Sequence, residues 1–337
     1  MQHSVENLNR GGNFMDLYIQ ENGTKLSKEK NHFVISNEKG TQKLAVDTID
    51  SIIIQGRSSL TTDFISLMIE NKIPIYLADY FGNIYGKVWS NSLDSSAILR
   101  RQQIILFQGN YGKKLIKKWI IRKIETQKKH LLKILRRKSL DASEIQEYFQ
   151  SIEDKINLLE LQESHFHETL LGYEGLSSRY YYKILKDHIP ATWKFHGRKN
   201  YGARDPYNVV LNYLFGVLYS KVEQALVLAG FDVKIGILHG ESRKADSLLF
   251  DFIEIFRFLV FETCFSLFSK KLINKSFFNE EGRILLEGKK IILSEFYKKL
   301  RTTVEQNGEK ISYENLIKKE AKFLAKEVLT HEMPDFI

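Results

Sequence analysis

The stretch from Arg204 to Arg257, RDPYNVVLNYLFGVLYSKVEQALVLAGFDVKIGILHGESRKADSLLFDFIEIFR, leaves few choices of fold. Asp205-Pro206 opens a helix: the aspartate can accept from an unpaired amide of the first turn, and proline presets φ where no N–H is needed. Leu211, Leu214, Leu218, Val222 and Ala225 recur three or four apart, so one face is apolar and must be buried. Gly230 predicts the end of that helix, and Gly236 and Gly240 bracket a break around Ile237-Leu238-His239. Beyond it, Leu248, Leu249, Phe252, Ile253 and Phe256 supply the apolar face of a second helix. Asp251 and Glu254, three apart, are expected on one side of it. A histidine on a turn near two carboxylates is a donor set for a hard divalent metal, one ligand short.

Upstream, GYEGLSSRYYYKIL (172–185) is expected to place Glu174 at a Gly-flanked helix start, ahead of Tyr180-Tyr181-Tyr182. Taken together, these stretches resemble the CRISPR-associated integrase family, the "Cas one" endonuclease that acquires new spacers. The resemblance is carried by Glu174 in the E-G segment, Phe195 and Arg198 in FHGR, and Asp205, Asn208 and Asn212 in DPYNVVLNY. It continues through the G-x-x-H of Gly236–His239 and the D-x-x-E-x-F-R of Asp251–Arg257. It implies Glu174, His239 and Glu254 as metal ligands, with Asp251 an accessory carboxylate of the catalytic set. It also implies a β-sandwich-like N-terminal domain that mediates dimerisation, and a homodimer placing two active sites. The implied reaction is integration of short duplex DNA at a repeat, and the implied partner is the small second CRISPR-associated adaptation protein. Two departures bear on loop geometry and DNA contacts and leave the ligands intact. Phe258 follows Arg257 where the family often has proline, and Tyr201-Gly202-Ala203 replaces a Pro-containing spacer before Asp205.

A chain of 337 residues suggests two domains. Residues 1–14 are polar and aperiodic and are expected to be a disordered extension. Over 15–90, short β-rich runs (Leu17–Ile19, Phe33–Ile35, Ile52–Ile54, Pro74–Ala78, Ile84–Val88) and one helix over 61–71 predict a small β-rich domain. A polar linker (91–96) leads into 97–337, expected to be an all-helical catalytic domain, so the fold class is α+β. Within it, 143–170 reads as one amphipathic helix, on which His165 and His167 face different ways and make a poor ligand pair. The last helix is expected over 312–329.

Fifty Lys+Arg against 41 Asp+Glu give a net charge of +9, compatible with nucleic acid. Much of the excess lies between Lys113 and Lys138, with 12 Lys/Arg and a single acid, Glu125. Leu115, Trp119, Ile120, Ile124, Leu131 and Leu135 give the same helix an apolar face. Its basic face, with Lys117, Lys118 and Arg122, is either a DNA phosphate track or a solvated surface. Arg198 can touch phosphate or brace Asp205. Asn208 and Asn212, four apart, can line a DNA channel or hydrogen-bond within the protein. The single cysteine, Cys264, excludes an internal disulfide framework and a thiolate zinc cluster, and reads as core. No apolar run reaches about 18 residues and no secretory signal is recognisable, so no membrane role and a cytoplasmic location are expected.

Phosphodiester transfer needs charge stabilisation at phosphorus and an activated oxygen nucleophile, and a divalent metal supplies both. Two carboxylates favour magnesium or manganese, and one imidazole tilts the choice towards manganese. The residues alone do not choose between water and a DNA 3′-hydroxyl as nucleophile. An integrase, a nuclease of branched DNA or repair intermediates, and a DNA-binding assembly protein therefore remain distinct readings. The resemblance favours the first.

Overall fold

The computed structural model describes residues 15–30, 32–71, 73–78, 84–88, 96–238, 246–306 and 308–331. The expected extension (1–14) and most of the expected linker (91–96) lie outside them. The chain divides into two compact units, 1–94 and 95–337.

The first unit is the expected β-rich domain. Strands β1 (Met15–Ile19), β5 (Ile49–Ile54), β7 (Ile75–Ala78) and β8 (Ile84–Val88) form one four-stranded sheet, in that order. β4 (Gly40–Ala45), β3 (His32–Asn37), β2 (Thr24–Glu29) and β6 (Ser58–Leu60) form the other. Leu17, Ile19, Ile52 and Ile54 from the first sheet share one core with Leu26, Phe33 and Ile35 from the second. Helix α1 (Thr62–Glu70) adds Phe64, Leu67 and Met68 to it, after Thr61 caps its start by accepting from the Phe64 amide. β5 pairs in parallel with β1 and β7 and is buried on both faces, because Ile53 packs with Tyr76, Ala78 and Tyr18 on the side away from that core. This explains why Ile52-Ile53-Ile54 is a continuous apolar run with no alternation.

The second unit is mostly helical. Its helices are α2 (Ser96–Gln108), α3 (Asn110–Arg137), α4 (Ser143–Leu158), α5 (Phe166–Lys186), α6 (Pro206–Leu228), α7 (Ser247–Phe252), α8 (Arg257–Ser269), α9 (Leu286–Arg301) and α10 (Tyr313–Thr330). A 3-10 turn, Ile253–Phe256, joins α7 to α8. The Asp205 side chain accepts from the Asn208 amide at 2.9 Å and Pro206 opens α6, as expected. Cys264 is buried in α8, and burial pushes its thiol pKa up, consistent with a core role.

Two expectations differ from the structure. Residues 143–170 are two helices, with α4 ending at Leu158 and α5 starting at Phe166. The Lys117 ammonium donates to the carbonyls of Asn157 (3.0 Å) and Leu159 (2.8 Å), and Lys113 donates to that of Leu161 (2.6 Å). Lys117 thus satisfies an orphan carbonyl of the last turn, at the negative pole of the helix dipole, while Lys113 fastens the segment just beyond it. The second unit is also not purely helical. β9 (Thr303–Gln306) and β10 (Glu309–Ser312) form an antiparallel hairpin in which Gln306 pairs with Glu309, and Gly308 has φ +80°. Asn307-Gly308 is the turn signal that a helical reading passes over.

Helix α3 packs against α2, α4, α5, α7, α8 and the 3-10 turn. Its buried stripe holds Ile116, Trp119, Ile120, Ile124, Leu131 and Ile134, interrupted by the polar Lys123, Gln127 and His130. The last of these lies 2.6 Å, through Nδ1, from the Tyr181 hydroxyl and meets Phe265 edge-on. Burial lowers the His130 pKa from 6.5 to about 4, against a raising effect of Glu262 and with Lys133, Lys299 and Arg137 adding to the fall.

Between these two values the unfolded chain binds more protons, so His130 contributes full stability above pH 6.5 and loses it as pH falls towards 4. The shift corresponds to on the order of 3 kcal/mol. Thermal melts of His130→Gln are expected to show a shallower loss over that window than wild type. Superimposable pH profiles would show that another group controls it.

Candidate metal centre

Three elements bring charge together in the core of the helical unit. Glu174 lies in the interior of α5, not at its start, and Glu254 lies on the 3-10 turn. Lys123, on the buried stripe of α3, places its ammonium between them. It ion-pairs with Glu174 and stands 2.6 Å from Glu254 Oε2. Lys123 is 4% exposed and Glu254 3%. The Ser178 hydroxyl donates to Glu174 Oε1 at 2.9 Å, and Arg257 Nε lies 2.8 Å from Glu254 Oε2. Those last two atoms meet off the hydrogen-bonding direction, so their attraction is coulombic.

Burial alone would raise the Glu174 pKa. Lys123, by charge and hydrogen bond, together with Ser178 and Arg257, overrides it and holds the carboxyl at about 2. Burial likewise opposes the Arg257 charge, and Glu254 beside it lifts its pKa above the usual guanidinium range. Both carboxylates thus lie within reach of one cation, and their oxygens are what magnesium or manganese takes. Among the described residues, no three or more His, Cys, Asp or Glu side chains gather as a metal cage. His239, the expected nitrogen ligand, lies outside the described residues.

Asp251 has a different task from Glu254, although only three residues separate them. It is fully buried, and its Oδ2 accepts from the amides of Ile237 (2.6 Å) and Leu238 (3.0 Å). These are the two residues before His239. The close approach requires Gly236: a Cβ there would lie 2.6 Å from Ser247 and 2.8 Å from Asp251 Oδ2. The α7 segment after Asp246 therefore pins the backbone that leads to His239. Asp251 acts as a positioning residue for that backbone.

The proposed DNA contacts divide by burial. Asn208 is 1% exposed. It donates to the Gly197 carbonyl and to Asp205 Oδ2 and accepts from the Lys199 amide, so it ties the 197–205 loop to α6 and does not line a channel. Arg198 donates to Asn212 Oδ1 at 2.6 Å and to Asn208 Oδ1 at 3.3 Å, and reaches Asp205 only through Asn208. Its guanidinium also lies 5.5 Å from the Phe215 ring centroid, and that of Arg257 lies 5.0 Å from the same ring. Asn212 is half-buried. Of the α3 cations, Lys117 is committed to the α4 end, Arg122 lies 3.8 Å from Glu320, and Lys118 is exposed.

Sequence reasoning misses Lys123. Its signal is a lysine four residues after Trp119 and three after Ile120, which places it on the apolar stripe and not on the basic face.

Removing the Asp251 carboxylate leaves two buried amides without an acceptor, at roughly 1–3 kcal/mol each. Asp251→Ala is expected to lose about 2–4 kcal/mol of stability in chemical denaturation, and Asp251→Asn, which keeps an acceptor oxygen, less. Wild-type stability in Asp251→Ala would refute the anchoring role.

Comparisons with known proteins bear on the family and the fold. The CRISPR-associated endonuclease Cas1 of Clostridium perfringens is 28% identical over 331 residues, covering 94% of this chain and 96% of the relative. A casposase bound to integration product superposes with a TM-score of 0.72 at 22% identity, covering 94% of this chain and 90% of that one. A chain of a Cas6-RT-Cas1–Cas2 complex superposes with a TM-score of 0.76 at 18% identity, covering 96% of this chain and 36% of that longer one. The family model described as CRISPR associated protein Cas1 matches residues 17–298, and the chain belongs to that family.

Proposed function

We propose that this protein is the integrase of CRISPR adaptation, joining the 3′-hydroxyl ends of short duplex DNA into the repeat array by metal-dependent transesterification. The observation that carries the reading is the convergence of Glu174 and Glu254, from separate elements, on one cation position. Membership of the Cas1 family supports it, as does the resemblance to a casposase bound to integration product.

Glu174, Glu254 and His239 would hold one magnesium or manganese ion, which supplies Lewis acidity at the phosphate and a more acidic bound hydroxyl. Lys123, Ser178 and Arg257 favour the charged form of Glu174 before any ion is bound. Ser178 orients that carboxylate, and Asp251 holds the backbone before His239. Arg257, half-buried beside Glu254, holds this carboxylate in place. The exposed cations of α3, Lys114 and Lys118 among them, offer phosphate contacts. The reading includes a homodimer through the β-rich unit and a complex with the second adaptation protein, supported by the likeness to a chain of a Cas1–Cas2 assembly. Among the described residues no helix is long and apolar enough to cross a membrane.

The deciding experiment offers a supercoiled plasmid carrying a repeat and a labelled 3′-hydroxyl duplex, with and without the second adaptation protein. Covalent transfer of label is expected. Cleavage without transfer would select a nuclease of branched or damaged DNA, and binding alone an assembly protein. His239→Ala and Glu254→Gln are each expected to lose strand transfer by several orders of magnitude while DNA affinity without metal stays near wild type. His239→Ala that integrates at the normal rate would refute the ligand assignment.

A second expectation concerns salt. Lys114→Ala with Lys118→Ala should lower the slope of log affinity against log salt by about 0.9 for each phosphate that is no longer neutralised. Lys117→Ala should instead lower the melting temperature, since its ammonium caps α4. An unchanged slope in the double variant would show a solvated face.

A further inference from the structure

We propose that Lys123 is an internal competitor of the metal, an ammonium that neutralises Glu174 and Glu254 in the metal-free protein and must leave them when the ion enters. The proposal rests on the metal reading above and adds how the site is kept assembled, and its affinity set, before the ion arrives. Both carboxylates contact the one ammonium, which stands 2.6 Å from Glu254 Oε2. A magnesium ion held by the same oxygens would stand about 2.0–2.1 Å from them. An ammonium and a divalent ion cannot share those lone pairs at these separations without strong repulsion. Binding is therefore an exchange of one cation for another.

Beside Lys123, α3 and α5 are also held by uncharged contacts. One turn along α3, Gln127 Nε2 donates to the Ser178 hydroxyl at 3.2 Å, and the Ser177 hydroxyl lies 3.3 Å from Gln127 Oε1. Ser178 also holds Glu174. Glu254 keeps Arg257 at 2.8 Å when the lysine departs. The frame that presents the carboxylates thus survives the exchange. What the lysine adds is a positive charge where a buried and a half-buried carboxylate would otherwise face each other unscreened.

Manganese titration by calorimetry, with melting temperatures measured with and without the ion, tests this in the full-length chain. Lys123→Met is expected to bind manganese about tenfold or more tightly than wild type, because one competing charge is gone. Its metal-free melting temperature should fall and its manganese-induced rise should grow. Lys123→Arg, which keeps the charge, should show no tightening. Lys123→Gln serves if the Met variant does not fold, with the same direction expected. In the wild type itself, amine modification followed by mass spectrometry should label Lys123 faster when manganese is present, relative to Lys118. Manganese affinity unchanged or weakened in the neutral variants, or labelling of Lys123 indifferent to manganese, would overturn the proposal. Glu254→Gln separates the two claims. Wild-type binding that this variant abolishes sustains the metal reading even if Lys123 proves not to compete. No saturable binding in wild type or in the neutral variants would sink both.

Discussion

Two ionised carboxylates drawn into one partly buried site repel each other unless a cation stands between them, and the helical unit places one there. Glu174 comes from α5, Glu254 from the turn between α7 and α8, and the neutralising charge from Lys123 on α3. Arg257 balances the second negative charge. Gathering four ions, two of them buried, gives little net stability, but removing one leaves an unpaired charge at low dielectric, which is costly. The cluster is therefore better understood as a geometric constraint on three elements than as a source of stability.

The residues around this cluster divide into those that bear charge and those that place backbone. Asp251 and Glu254 are neighbours on the chain, yet one accepts from two loop amides and the other joins the ion cluster. The change from α to 3-10 geometry between them accompanies this split, and such local tightening is common at functional sites. Gly236 is needed because the loop passes too close to Ser247 and Asp251 for any side chain. The Asn208 network does for the 197–205 loop what Asp251 does for 236–238. Phe215 links the two regions, since the guanidiniums of Arg198 and Arg257 both lie against it.

The basic helix shows how charge count and charge use differ. Its cations cap the α4 end (Lys117), fasten the segment after it (Lys113), pair with Glu153 (Lys128), approach Glu320 (Arg122) or enter the core (Lys123). Only part of a highly charged helix is therefore presented outward, with Lys114 and Lys118 among the exposed residues. Net charge reports affinity for phosphate in bulk, while burial decides which ammonium is available for it.

Local patterns carried most of the architecture. The alternation and turn signals before residue 90 specify the β-rich unit, and Asp205-Pro206 with its three-to-four apolar spacing specifies α6, because caps, turns and periodicity are short-range physics. The motif context of Glu174, Asp251 and Glu254 points to the family that the matching model shows. Other features depend on residues distant in sequence. The end of α4 at Leu158 is stabilised by lysines of α3, and Lys123 lies in the core because two carboxylates from other elements meet it there. Asn208 can line a channel or bond within the protein as far as its pattern goes, and the 197–205 loop folding over it selects the second. A one-dimensional pattern determines which residues share a helix face. Which charges meet across that face, and so which become site, cap or anchor, was decided only by the packing of one element on another.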